Sequence, residues 1–236
     1  GAESTRPGGG VYGQGARTVP AGEETGRLLP VLEALRRETD APLSADTRKG
    51  AVARQALAAG ADLINDVGAL ADPELGEAVA AAGCPLVLMH SRGDLATMQT
   101  GIRFADVVGE VRAELAQAMD RAAAVGIPEE QLILDPGIGF GKTAAQNLEL
   151  IGRLGELAAL GRPLLLGASR KSFIAKAMER VGAQAPPPSE RLGGSLASVA
   201  WAAATAAIVR VHDVAETAQL LTVWRAVRDA AGGAEA

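Results

Sequence analysis

The chain has 236 residues, 48% of them hydrophobic and only 3% aromatic, which suits one aliphatic core in a single domain over residues 1–236. Its formal net charge of −5 is spread along the sequence instead of forming a basic footprint, which argues against nucleic acid as a partner. The single cysteine, Cys84, excludes an internal disulfide, points to a reducing cytoplasm, and reads as a small buried hydrophobe ahead of Pro85.

Residues 1–10 are small and polar with no apolar stretch, so no signal peptide is expected at this end. Residues 8–22 read as a long, glycine-rich connection, with Pro7 before it and Pro20 inside it. Six short apolar runs then follow, each closing on polar or charged residues. Residues 42–44 lead to Asp46, 62–64 to Asn65, 85–89 to His90, 132–134 to Asp135 and 163–167 to Ser169, while the run 208–211 carries Arg210 and is followed by His212. Unbroken apolar runs of this length are what parallel strands buried on both faces look like.

Helical spacing fills the gaps between them. Leu28, Val31, Leu32 and Leu35 form one stripe, and Val108, Val111, Leu115 and Met119 another. Leu150, Ile151, Leu154 and Leu157 form a third, and Leu220, Val223, Trp224 and Val227 a fourth, all expected to cover a sheet. Gly60, Gly83, Gly126 and Gly161 fall between helix and next strand, where a left-handed cap is wanted. The apolar stretch 192–209 is broken by Gly193, Gly194, Ser195, Ser198 and Thr205, so a helix running into a buried strand is expected there and no membrane span. Residues 182–188 read as an irregular spacer.

Alternating strand and helix suits both an open doubly wound sheet and a closed barrel. Polar groups at nearly every strand end favour the ring, so the expected fold is an α/β TIM (β/α)8 barrel. Six strands are too few for eight, and the expectation is a barrel with its first βα unit and most of strand 2 absent from this chain.

The densest chemical signal is Asp135-Pro136-Gly137-Ile138-Gly139-Phe140-Gly141-Lys142, whose glycines are spaced to let the backbone approach a ligand closely. It is not a dinucleotide fingerprint, since no G-x-G-x-x-G opens a helix with an acid about twenty residues on, nor a phosphate loop, since Pro136 stands where the first glycine should be. Asp46, Asn65 and Asp135 would set two carboxylates and a carboxamide around one opening, a set suited to a flat heterocycle rich in N–H donors. The plainer reading is that these residues cap the helices that follow. Arg210 and His212 share one side of the last strand and, with Thr5 and Arg6, make an anion site for phosphate or diphosphate. His90 has only its strand-end position to mark it, and a hydrogen-bonded structural histidine is at least as good a reading. Two histidines and one cysteine exclude a structural zinc site, whereas a magnesium ion held by phosphate oxygens would leave almost no trace.

Six segments in register carry a resemblance: residues 3–8, 44–47, 64–66, 134–142, 169–173 and 210–213. Together they resemble dihydropteroate synthase of folate biosynthesis, a pterin-binding family, from Gly1 to about Trp224. The resemblance implies a homodimeric TIM barrel that joins 6-hydroxymethyl-7,8-dihydropterin diphosphate to p-aminobenzoate with magnesium, releasing pyrophosphate and 7,8-dihydropteroate. It implies that Asp46, Asn65, Met89, Asp135 and Lys171 hold the pterin, and that Thr5, Arg6, Arg210 and His212 hold the diphosphate. Pro7, Phe140, Lys171 and Ser172 would border the p-aminobenzoate site, where sulfonamides compete. Catalysis would rest on Asp46, Asp135, Lys171, Arg210 and His212. The family's asparagine ligand to magnesium would lie upstream of Gly1, so no metal ligand is expected within this chain. Two other readings remain: a methyltetrahydrofolate-binding methyltransferase barrel, which has no need of the anion groups, and an inactive homologue acting as a binding partner.

Overall fold

The computed structural model describes residues 19–93, 101 and 103–232. Six parallel strands run through it in chain order: β1 (Ser44–Asp46), β2 (Leu63–Asp66), β3 (Leu86–Met89), β4 (Leu132–Asp135), β5 (Leu165–Leu166) and β6 (Ile208–Val209). The first four form one sheet and the last two another, joined where Leu134 pairs with Leu164 and the Leu134 amide donates to the Pro163 carbonyl at 2.9 Å. Every strand expected from an apolar run is present.

Register decides which groups meet at the strand ends. Asp46 lies opposite Asn65, and Met89 opposite Asp135. Leu86, Leu88, Leu132 and Leu134 are essentially buried, each contributing about 1.5–3 kcal/mol through removal of its side chain from water.

Helices α1 (Ala21–Glu38), α2 (Gly50–Ala58), α3 (Pro73–Ala82) and α4 (Val107–Ala124) flank the first four strands. Their starts are chemically specified. Asp72 caps α3 by accepting from the Glu74 amide at 3.1 Å, with Pro73 in the first turn, and Asp106 caps α4 through the Val108 amide at 3.2 Å. Gly60, Gly83, Gly126 and Gly161 all take left-handed φ values between 63° and 101°, as expected for residues that end a helix and release the chain into a strand. The first helix already begins at Ala21, so the connection read as extending to residue 22 ends sooner.

Two stripes behave differently from expectation. Leu150, Ile151, Leu154 and Leu157 are all buried, but α5 (Ala144–Gly152) stops and a short α6 (Gly155–Ala158) follows. Gly152 and Gly155 flank the break, and both residues weaken a helix interior. The last stripe does form α9 (Val214–Ala230), yet Val223 is 58% and Val227 64% exposed, and Thr217 is its one buried residue. Likewise β6 is not a buried strand, for Ile208 is 38% exposed. The remaining helices are α7 (Ser172–Glu179) and α8 (Leu192–Ala202). Gly194 lets α8 approach α7, because a Cβ there would overlap the Ile174 side chain. Residues 183–187 carry no regular structure, consistent with a spacer.

The strands curl. Arg210, just past β6, donates from Nη1 to Asn65 Oδ1 on β2 at 3.1 Å. In a flat sheet four strand steps would separate them by about 19 Å, beyond any side chain, so the sheet must bend round on itself.

Candidate active site

At the C-terminal ends of the strands, Asp46, Asn65 and Asp135 are all buried. Asn65 Nδ2 lies 3.4 Å from Asp46 Oδ1, and Arg210 spans the opening, with Nη1 on Asn65 and Nη2 3.4 Å from Asp135 Oδ2. None of the three is spent on capping the next helix. Asp135 Oδ1 accepts from the Gly137 amide at 2.7 Å, while its buried Oδ2 has no hydrogen bond. A buried carboxylate oxygen with a cation beside it but no hydrogen bond is poised to accept one.

Arg210 can lie there because residue 167, just past β5, is glycine. A Cβ at Gly167 would come within 2.6 Å of Arg210 Nη2. His212, one strand period further on, is exposed and bonds through Nδ1 to Ser169 Oγ at 2.9 Å. Arg170 turns away from the opening and pairs with Asp213, Nε to Oδ2 at 3.0 Å. The loops after β5 and β6 are thereby tied together, and Arg170, at φ 56°, is held in its left-handed conformation by that pair and by Ser195 Oγ on its amide.

The loop after β4 closes the other side. Lys171 donates from Nζ to the Ile138 carbonyl and stands over the Phe140 ring, 4.7 Å from its centroid. Phe140 in turn packs on a small apolar cluster of Val67 and Met89, separate from the main core. Ser172 opens α7 with an exposed side chain. Asp46, Asn65, Met89, Asp135, Phe140, Lys171, Ser172, Arg210 and His212 thus gather at one strand-end face. Thr5, Arg6 and Pro7 lie outside the described residues.

Two glycines of this loop do something the spacing did not suggest. Gly137 and Gly141, read from sequence as allowing close approach to a ligand, also allow the loop to press against the chain leaving β3. A Cβ at Gly137 would overlap the His90 carbonyl, and one at Gly141 the Arg92 carbonyl. Both take positive φ, 67° and 61°.

Beneath the loop a buried polar chain joins His90, read from sequence as a structural histidine, to Lys142, whose burial no sequence pattern marks. Lys142, only 2% exposed, donates to the Phe140 carbonyl at 3.0 Å, to the Gly137 carbonyl at 3.1 Å, and to His90 Nδ1 at 2.8 Å. With Nδ1 accepting, His90 carries its proton on Nε2 and donates a hydrogen bond to Glu114 Oε2 at 2.9 Å. Arg92 completes the chain by pairing with Glu114 and with Glu110, the latter at 2.8 Å. Burial pushes His90 down to about 4, with the Lys142 ammonium adding to the effect. Burial also brings Lys142 down to about 7, and the hydrogen bond from His90 holds Glu114 near 2. His90 is therefore a neutral, hydrogen-bonded structural residue.

Asp66 is structural as well. Its carboxylate accepts from the Gly68 amide at 2.7 Å and the Leu70 amide at 2.5 Å, fixing a turn in which Ala69 and Leu70 take left-handed φ. Burial raises it to about 6. Among the described residues no group of three or more histidine, cysteine or acidic side chains could hold a metal ion.

Comparison with known proteins agrees with this geometry. The pterin binding enzyme family matches residues 1–212. The dihydropteroate synthase of Synechocystis is 47% identical over 231 residues, covering 95% of this chain and 76% of the relative. The Xanthomonas albilineans dihydropteroate synthase solved with 4-aminobenzoic acid superposes with a TM-score of 0.89 at 43% identity, covering 97% of this chain and 80% of that one. The Yersinia pestis dihydropteroate synthase in a sulfonamide drug complex gives 0.86 at 39% identity, over 92% and 77%. The curled arc of parallel strands is accordingly that of a TIM barrel. A strand-end pocket of buried acceptors spanned by one arginine, matched at this identity over nearly the whole chain, means that the chain belongs to the pterin-binding enzymes, among their dihydropteroate synthases.

Proposed function

We propose that Asp46, Asn65 and Asp135 hold the pterin ring of 6-hydroxymethyl-7,8-dihydropterin diphosphate, with Met89 against its face and Lys171 beside it. Arg210 and His212, with Thr5 and Arg6, take the diphosphate. Pro7, Phe140, Lys171 and Ser172 border p-aminobenzoate, and sulfonamides compete there. The observation that carries this reading is the reach of Arg210 to both Asn65 and Asp135, since one cation then serves the junction between a donor-rich ring and its charged leaving group.

The chemistry follows from where charge develops. Breaking the carbon–oxygen bond at the pterin methylene leaves a cation delocalised into the ring and a highly charged pyrophosphate. Asp46 and Asp135 favour the first, Arg210 and His212 the second, so the barrier falls through fixed charges already in place. The neutral aniline nitrogen then adds to the methylene carbon, and the anilinium formed gives up its proton to the departing pyrophosphate or to water. No strong base is needed. A magnesium ion would be held mainly by the diphosphate oxygens, since among the described residues no group of three or more histidine, cysteine or acidic side chains could hold it. A homodimer in the cytoplasm belongs to the same reading. Among the described residues no helix is long and apolar enough to cross a membrane.

The anion groups favour this reaction over a folate-dependent methyl transfer, which has no diphosphate to hold. Release of pyrophosphate on mixing the chain with pterin diphosphate, magnesium and p-aminobenzoate tests the activity. Arg210→Ala tests the site: losing a charge-assisted contact should weaken the diphosphate substrate by about tenfold to a hundredfold, with free pterin much less affected. Equal losses for both ligands would remove Arg210 from the anion site.

A further inference from the structure

The loop that carries Phe140 is held from two sides by two lysines. From the mouth, Lys171 grips the Ile138 carbonyl and faces the Phe140 ring. From below, Lys142 binds the carbonyls of Gly137 and Phe140 themselves, at 3.1 and 3.0 Å. Carbonyls 137, 138 and 140 are thus each fixed by an ammonium group, and the ring direction of Phe140 is set by the backbone between them. Lys142 is almost wholly buried and lies behind the loop, so it belongs to the frame of the site instead of its lining.

We propose that Lys142 is a positioning residue for the p-aminobenzoate half of the site, acting through Phe140 and leaving the pterin half to the strand ends. This rests on the assignment of the site given above. The halves are built differently. The pterin acceptors Asp46, Asn65 and Asp135 stand on strands whose register is fixed by backbone pairing. Phe140 stands on a loop within which, among the described residues, one backbone hydrogen bond runs from the Phe140 amide to the Gly137 carbonyl, 3.0 Å, and side chains add further ties. Asn147 supplies one through the Gly139 amide at 2.6 Å, and Lys142 supplies two more. His90, bonded to Lys142 on one side and Glu114 on the other, anchors the ammonium to α4.

The test is equilibrium binding of two probes, 7,8-dihydropteroate, which fills both halves, and free 6-hydroxymethyl-7,8-dihydropterin, which fills one. Lys142→Met should weaken dihydropteroate by about tenfold, the effect of losing charged hydrogen bonds, while free pterin changes less than about twofold. Normal pterin affinity also shows that the variant is folded. In a Phe140→Ala background the same substitution should cost nothing further, because its effect runs through that ring. Equal weakening of both probes, or full additivity with Phe140→Ala, would overturn the proposal in favour of a general role in stability. If Lys142→Met does not fold, Lys142→Gln, which keeps two N–H donors, goes through the same cycle and is judged by the same outcomes. An unsubstituted chain that binds neither probe removes the underlying assignment of the site, a result distinct from either of these.

Discussion

His90 occupies a position where its charge state can be deduced from its neighbours. An ammonium faces Nδ1 and a carboxylate faces Nε2, so a neutral ring with one proton satisfies both contacts, whereas an imidazolium would set two cations together. Folding holds the ring near 4 against its ordinary 6.5. The unfolded chain therefore takes up the proton first as pH falls, and this contribution to stability is complete above pH 6.5 and is lost on the way to pH 4. Between pH 7 and pH 5 the loss is about 2 kcal/mol. Glu114 stays ionised throughout that interval, while Lys142, near 7, completes its protonation at the upper end. Asp66 works in the opposite direction, its raised pKa lending stability as pH drops below 6, so the wild-type curve alone would mix the two. Comparison with His90→Gln isolates the histidine, since Asp66 and Lys142 are common to both proteins. The difference in unfolding free energy between the two should change by about 2 kcal/mol, against wild type, on going from pH 7 to pH 5. A constant difference would mean that His90 is charged in the native state.

At the level of elements, the loop after β4 carries the most specific constraint. Gly137 needs a positive φ, and it also needs to lack a Cβ because the His90 carbonyl fills that space. Gly161 offers a control, for its φ is 72° but nothing lies within 4 Å of a Cβ placed there. Gly161→Ala should cost about 1–2 kcal/mol from backbone strain alone. Gly137→Ala adds a steric overlap with backbone and should cost at least about 3 kcal/mol, read from urea midpoints. Similar losses at the two sites would show that the loop can move off β3 freely. This loop also shows where sequence reasoning stops. Its glycines mark a close approach, but only the fold says that one approaching partner is the chain after β3. The strand ends were legible, because parallel strands buried on both faces leave unbroken apolar runs and their polar stops are then conspicuous. Lys142 was not, because a lysine after a glycine-rich stretch looks like any exposed cation until burial and three partners are seen.

Across the whole molecule, burial is uneven. One continuous apolar cluster runs from Leu28 on α1 to Ala202 on α8, so most elements share a core and should unfold together. Helix α9 stands apart from it. Thr217 is its one buried residue, Val223 and Val227 are exposed, and on the adjoining α8 Trp201 is 68% exposed. Helical periodicity reveals which face is apolar and says nothing of whether another element covers it, which is why the stripe of Leu220, Val223, Trp224 and Val227 was read as sheet-covering. A helix with so little buried surface opens at small cost, whereas strands β1 to β4, hydrogen-bonded on both sides or backed by buried leucines, open only with the core. Native-state hydrogen exchange should therefore find two classes of amide. Those of α9 should exchange by local opening, at rates insensitive to low concentrations of urea. Those of β2, β3 and β4 should exchange only with global unfolding, slowing in proportion to overall stability. If α9 is protected as strongly as β3, its apolar face is buried against further protein in solution, and the exposed residues Val223 and Val227 are then the positions at which a charged substitution should release it.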